Sequence, residues 1–155
     1  MDSAIRPDER ATRIEHIARE LVPLASQLTR LVQAQTRGEV TRSEGGILRT
    51  LSGGARRVTE LAELEGLAQP TTTVLIKQLE QKGWATRARD ADDGRLVLVS
   101  LTPEGGAALE RYRARYRALV RERVAAMPDE RVAGLEEAID ALDSLVAALQ
   151  KGVGQ

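Results

Sequence analysis

The sequence contains no cysteine, no phenylalanine and a single histidine, His16, and its only aromatic residues are Trp84, Tyr112 and Tyr116. Without cysteine there is no disulfide framework, thiol redox sensor, iron–sulfur cluster or Cys-ligated zinc. One histidine builds neither a multi-His metal site nor a Ser-His or Cys-His nucleophilic couple. No stretch approaches the roughly 20 apolar residues of a membrane span. The amino terminus, Met1-Asp2-Ser3-Ala4-Ile5-Arg6-Pro7-Asp8, is too charged for a signal peptide. A cytoplasmic protein with no metal, no cofactor and no membrane partner is expected. An excess of either charge is missing too, because 23 basic and 23 acidic side chains cancel over 155 residues. Nucleic-acid binders are often basic, so neutrality argues against that class until the charge is resolved by segment.

What is present points to helices. Apolar residues make up 42 % of the chain and are carried by Ala, Leu and Val. The length suits one domain, 1–155, with a core that needs no staples. Ile14, Ile17, Leu21, Leu24, Leu28 and Leu31 recur at gaps of 3 and 4, giving a narrow apolar seam on a helix over 8–38. Pro23 sits inside that helix and is expected to kink it. Thr41-Arg42-Ser43-Glu44 fits a capping box that opens a second helix, with Ile47, Leu48 and Leu51 on its buried side. Gly45 and Gly46 cost about 1 kcal/mol each there relative to Ala, so they mark either close helix packing or room for a ligand. Ser52-Gly53-Gly54 ends this helix. A third helix covers 58–64, Gly66-Leu67-Ala68 turns the chain, and Pro70 opens a fourth helix reaching Lys82 and Gly83.

Two strands follow, over 86–89 and 95–101, joined by the turn Asp90-Ala91-Asp92-Asp93-Gly94. Thr102-Pro103-Glu104 supplies an N-cap, a first-turn proline and a first-turn acid for a fifth helix to about Ala126. After Met127-Pro128-Asp129, a last helix to about Gln150 carries Val132, Leu135, Ile139, Leu142, Val146 and Leu149 at the same gaps of 3 and 4. Two heptad-like seams at the chain ends either close onto the chain's own centre or pack against a second copy. The centre offers little spare apolar surface, which favours a dimer with Ile14, Ile17, Leu21, Ile139, Leu142 and Val146 at the interface.

Three helices followed by strand, turn and strand make a winged helix-turn-helix. The fold class is therefore mainly α with a small β-wing, the lobe at 41–101 being flanked by dimerisation helices at 8–38 and 103–150. In such a lobe the second helix of the pair enters the DNA major groove. Thr72, Leu75, Ile76 and Leu79 share one face of it by 3.6-residue spacing and should pack inward. Gln69, Pro70, Thr71, Thr73, Val74, Lys77, Gln78 and Gln81 remain outside, with hydroxyls, amides and one cation for bases and phosphates. Val74 is the odd member, suited either to a thymine methyl or to a crevice against the wing. Arg87, Arg89 and Arg95 frame the wing and suit a narrow minor groove, unless Asp90, Asp92 and Asp93 neutralise them. Asp93 and Gly94 form the wing turn, and Asp93 is expected to orient one arginine while Arg95 projects.

Leu61-Ala62, Gln69-Pro70-Thr71, Leu79-Glu80-Gln81-Lys82-Gly83, Asp93-Gly94-Arg95 and Leu101-Thr102-Pro103-Glu104-Gly105 follow, in order and spacing, the pattern of the MarR (multiple antibiotic resistance regulator) family, which the chain resembles. The resemblance covers 40–109 in motif detail. It implies a homodimeric bacterial transcription regulator, usually a repressor, that binds a near-palindromic double-stranded DNA operator and is nucleoid-associated when bound. It further implies dimerisation through the first, fifth and sixth helices and a minor-groove role for Arg95. The sequence departs from the family pattern at Val74, usually polar or basic, and at Trp84, usually aliphatic and here read as core.

Many relatives release DNA when a small phenolic or lipophilic effector binds between the dimerisation helices and the winged lobe. If this chain does so, Leu24, Gly45, Gly46, Tyr112 and Tyr116 are the expected pocket liners. His16 is read as a solvated helix residue. The arginines at 111, 113, 115, 117, 121 and 123 spray around their helix and are read as a solvated face paired with the acidic last helix, not as a second nucleic-acid site. A winged-helix protein–protein adaptor without DNA binding is the alternative function, but it has no reason to keep Lys77 and Arg95. An enzyme would need convergent catalytic groups, and none is visible. The zero net charge then resolves into parts. Residues 127–155 hold two basic and six acidic side chains, whereas 69–89 hold Lys77, Lys82, Arg87 and Arg89 against Glu80 alone. Neutrality does not exclude DNA.

Overall fold

The computed structural model describes residues 6–36, 38–90 and 93–152. Its elements follow the expected order: α1 (Pro7–Gln35), α2 (Arg42–Leu51), α3 (Val58–Glu65), α4 (Gln69–Gln81), β1 (Ala85–Arg89), β2 (Val97–Leu101), α5 (Pro103–Ala125) and α6 (Asp129–Gly152). They form two units, one ending at Arg117 and the other beginning at Ala118, so α5 contributes to both. Among the described residues, no helix is long and apolar enough to cross a membrane.

Local chemistry sets most boundaries. Pro7, Asp8 and Glu9 open α1, where a missing amide costs nothing and acids meet the positive end of the helix dipole. The helix runs without interruption through Pro23 and stops at Gln35, short of Gly38, with the Thr36 amide donating to the Val32 carbonyl at 3.0 Å. At α2 the capping box is present: the Glu44 amide donates to Thr41 Oγ1 at 3.3 Å, and the Thr41 amide donates to Glu44 Oε2 at 2.9 Å. Gly66 closes α3 in the left-handed conformation at φ 62°, a region that costs a side-chain-bearing residue about 1 kcal/mol or more. That turn lets α4 begin three residues later.

The first unit holds the core. Val40, Ile47, Leu48, Leu51, Leu61, Ile76, Leu79, Trp84, Ala85, Val99, Ala108 and Leu109 form one buried cluster, with Val58, Leu75, Leu101 and Tyr112 packed against it. Trp84 is core, as its sequence context implies. β1 and β2 pair antiparallel from Ala85 opposite Leu101 to Arg89 opposite Val97. Arg95 and Leu96 therefore belong to the turn and not to the second strand, a correction to the expected 95–101. The Leu96 amide is taken by the Asp93 carbonyl at 2.9 Å, which curls the chain before pairing starts. The other edge of β2 is also paired, since Arg56 and Val99 exchange backbone hydrogen bonds of 3.0 and 2.8 Å. In the second unit, α6 has acids in its first turn and Lys151 in its last, both favourable to the helix dipole.

One ion pair crosses the core's edge. Glu44 is only 2 % exposed, and its Oε1 accepts from Lys82 Nζ at 2.7 Å. The same ammonium donates to the Glu39 carbonyl at 3.0 Å and lies 4.5 Å from the centre of the Trp84 ring. The pair thus fastens the start of α2 to the end of α4. Burial works to raise the Glu44 pKa, but the Lys82 hydrogen bond and the Thr41 amide outweigh it and hold the carboxyl below its ordinary value of 4.5. A depressed carboxyl contributes stability above the unfolded-chain pKa and loses it as pH falls through the folded value. Lys82→Met strands the carboxylate, and with one partner partly exposed the expected cost is about 2 kcal/mol at neutral pH. Urea unfolding of both proteins across pH checks this. The difference should shrink as pH falls below 4.5; a gap that is absent at neutral pH, or constant with pH, would refute the role of the charge.

Candidate nucleic-acid interface

α4 has two chemically distinct sides. Thr72, Ile76 and Leu79 are fully buried and Leu75 is half-buried, as their spacing requires. Gln69, Pro70, Thr71, Thr73, Val74, Lys77, Gln78 and Gln81 are all exposed on the remaining surface. Two threonines are partly committed to the helix itself, Thr72 Oγ1 donating to the Ala68 carbonyl at 3.2 Å and Thr73 Oγ1 to the Gln69 carbonyl at 2.9 Å. Thr71, Lys77 and Gln78 have no side-chain hydrogen bond or ion pair among the described residues. Val74 does not sit in a crevice against the wing, because 57 % of it is open to solvent.

The three wing arginines have different surroundings. Arg87 Nε lies 3.3 Å from Glu80 Oε2, which ties β1 to α4. Arg89 donates to the Gly94 carbonyl at 3.2 Å and so braces the turn. Arg95 is exposed, and its guanidinium has no hydrogen bond or ion pair among the described residues. Asp93 orients Arg95 through the backbone: its Oδ1 accepts the Arg95 amide at 3.0 Å, while the Asp93 amide donates to Asp90 Oδ1 at 3.0 Å. Glu80 of the neighbouring helix thus serves Arg87, a partner from outside the wing turn. Asp92 lies outside the described residues.

The wing's root is fixed more tightly than its tip. Thr102 Oγ1 donates to the Gly83 carbonyl at 2.6 Å and accepts the Gly105 amide at 3.0 Å, capping α5 and holding the chain after α4 together. The Thr102 amide donates to the Trp84 carbonyl at 3.1 Å. A Cβ at Gly105 would overlap that same carbonyl. The Leu-Thr-x-x-Gly pattern thus has a steric and a hydrogen-bonding reason at this junction. No pattern in the sequence points to the Glu80–Arg87 and Glu44–Lys82 pairs, or to Arg56 on β2, because each depends on residues brought together from separate segments.

The expected pocket residues do not converge. A cavity of about 300 Å³ is lined by Gln33, Thr36, Gly38, Val40, Thr41, Arg42 and Tyr112. Tyr112 is the one expected liner among them. Gly45 packs under Tyr112, where a Cβ would come within 2.8 Å of the ring, and Gly46 packs against the Glu65 carboxylate. Both glycines therefore serve close packing. Tyr116 stacks edge-on with Tyr112 at 5.8 Å, and Leu24 is exposed on α1. His16 is exposed. Among the arginines of α5, Arg111 pairs with Glu39 at 2.7 Å, Arg113 with Glu110 at 2.6 Å and Arg123 with Glu122 at 3.8 Å. These partners lie on α5 itself and in the segment before α2. Ile14, Ile17, Ile139, Leu142 and Val146 are exposed, and Leu21 is half-buried.

Three comparisons bear on this geometry. The sequence profile of the MarR family matches residues 40–97. YpoP of Bacillus subtilis (strain 168), an uncharacterized HTH-type transcriptional regulator, is 30 % identical over 106 residues, which span 68 % of this chain and 75 % of that protein. Among solved structures, wild-type MarR of E. coli in its apo form superposes with a TM-score of 0.70 at 22 % identity, covering 79 % of this chain and 93 % of that one. BpsR of Bordetella bronchiseptica, whose DNA binding is regulated by 6-hydroxynicotinic acid, has a TM-score of 0.58 at 20 % identity, covering 80 % of this chain and 91 % of that one. At these identities the two structures establish a shared fold.

The Gly105 junction is open to a direct test. Gly105→Ala should lower stability by about 2–3 kcal/mol through overpacking against fixed backbone. Gly106→Ala is the control, since its Cβ would meet only Leu101 at an ordinary 4.0 Å. It should be neutral or stabilising by up to about 1 kcal/mol. Equal urea midpoints for the two variants would remove the steric account.

Proposed function

The chain belongs to the MarR family of winged helix-turn-helix transcription regulators, non-enzymatic DNA-binding proteins, and from that premise we propose that it is a repressor acting as a homodimer on a near-palindromic operator. The observation that carries the reading is the division of α4 into a buried side and an exposed, polar, cationic side. Laid in the major groove, that side presents Thr71 and Gln78 to base edges and Lys77 to phosphate. Arg95, exposed at the wing turn, reaches the adjacent minor groove. Repression is steric occupation of a promoter, with no catalytic step.

Support for the homodimer comes from what the single chain leaves bare. No residue of the 29-residue helix α1 is buried, and Ile14, Ile17, Leu24, Leu28 and Leu31 are each about half exposed or more. On α6, Val132, Leu135, Ile139, Leu142, Val146 and Leu149 are likewise exposed. A second copy covers these seams, and its symmetry sets the two recognition helices about one DNA turn apart, roughly 34 Å. An effector fits the reading as well. The cavity has the volume of a one-ring ligand, with Arg42 and Tyr112 available to an aromatic acid or phenol. It shares Thr41 with the capping box that leads to Glu44 and Lys82, so a ligand there bears on the end of α4.

Fluorescence anisotropy against promoter and random duplexes, with a salt titration, tests DNA binding. Affinity should fall steeply with salt as counterions are released. Lys77→Ala and Arg95→Ala should each weaken binding by roughly tenfold, and each should reduce the salt slope by about one. Absent or salt-insensitive binding would sink the proposal. In sedimentation, the wild type should run as a dimer and Ile17→Asp/Ile139→Asp as a monomer; a wild-type monomer at micromolar concentration would refute the assembly.

A further inference from the structure

Val74 is placed where a DNA-reading side chain would be, yet it has no polar atom. It is two residues from both Thr72 and Ile76, each with no exposed surface, so it points to the opposite side of α4. Its neighbours one turn away, Pro70, Thr71, Lys77 and Gln78, are all exposed, and none of them covers it. The wing leaves it open as well, since Arg87 turns to Glu80 and Val74 keeps 57 % of its surface in water. The result is one isopropyl group at the centre of a polar stripe. A single valine is too small for a protein-docking patch. In the major groove, however, one base-edge feature is apolar: the C5-methyl group of thymine.

Resting on the DNA-binding reading above, we propose that Val74 is a specificity-determining residue that reads the C5-methyl group of a pyrimidine in each half-site. Thymine and 5-methylcytosine both carry that methyl group; uracil and cytosine lack it. The contact makes no hydrogen bond, so it selects for the methyl and not for the pairing edge. Thr71 and Gln78, on either side, read neighbouring bases through polar atoms. Thr73 adds less, its hydroxyl proton being directed to the Gln69 carbonyl at 2.9 Å.

The test uses the full-length protein and duplexes enriched from a randomised pool. Each thymine of the enriched site is replaced singly by deoxyuridine, which deletes only the methyl group. At one position per half-site, the replacement should weaken wild-type binding about three- to fivefold, the worth of one buried methyl group. Val74→Ala should bind the natural site more weakly and be indifferent to deoxyuridine at that position. Because Val74 is exposed and Ala favours helix, this variant should fold normally, which circular dichroism verifies. At the same position, 5-methylcytosine should outperform cytosine by a similar factor. A site indifferent to every deoxyuridine, or one whose sensitivity persists unchanged in Val74→Ala, overturns the inference alone. Failure to enrich any duplex overturns the DNA-binding reading and the inference with it.

Discussion

The Glu44 carboxylate is the constraint on which the first unit is built. Its two oxygens answer to different parts of the chain: one caps α2 through the Thr41 amide, and the other receives Lys82 at the end of α4. A buried carboxylate is costly, and an ammonium with further bonds of its own is an effective partner for it. Lys82 has those further bonds, reaching the Glu39 carbonyl and the face of Trp84. Helix start, helix end and strand entrance are thereby fixed against each other at a single charged centre.

The rest of the lobe is arranged around that centre. With α4 held at its end, Ile76 and Leu79 enter the core and the polar residues stay outside. Trp84 follows directly, and its carbonyl receives the Thr102 amide, so the chain returning from the wing is fastened where the chain entering it began. Gly105 is pressed against the same carbonyl. A helix, a hairpin and the next helix meet there with no room for a methyl group.

Much of this is legible in the sequence where the cause is local. The Thr41–Glu44 box, the Gly66 turn, the Pro70 start and the Thr102 cap each depend on residues within four positions of one another, and each forms as expected. The two sides of α4 are legible for the same reason, because helical spacing alone separates Thr72, Ile76 and Leu79 from Lys77 and Gln78. Where the cause is distant, sequence patterns are silent. Lys82 and Glu44 are 38 positions apart, and Arg87 meets Glu80 across a turn that periodicity does not describe. Arg95-Leu96 continues an apolar, strand-like run and so resembles the start of a strand, while Asp93 captures both of their amides into the turn. Helix position alone cannot tell a pocket liner from a packing residue, and the space beside Gly45 and Gly46 is filled by Tyr112 and Glu65.

The hairpin is clamped twice, at its root by Thr102, Trp84 and Gly105 and again at mid-length, where Val99 pairs with Arg56 and the opposite Arg87 meets Glu80. Only two residue pairs, Ala88–Leu98 and Arg89–Val97, lie between that second clamp and the turn, roughly 7 Å of strand at about 3.3 Å per residue. Such a short overhang is stiff, so the position of Arg95 is inherited from the core through the backbone of β2. The wing tip and the recognition helix are thereby presented as one piece.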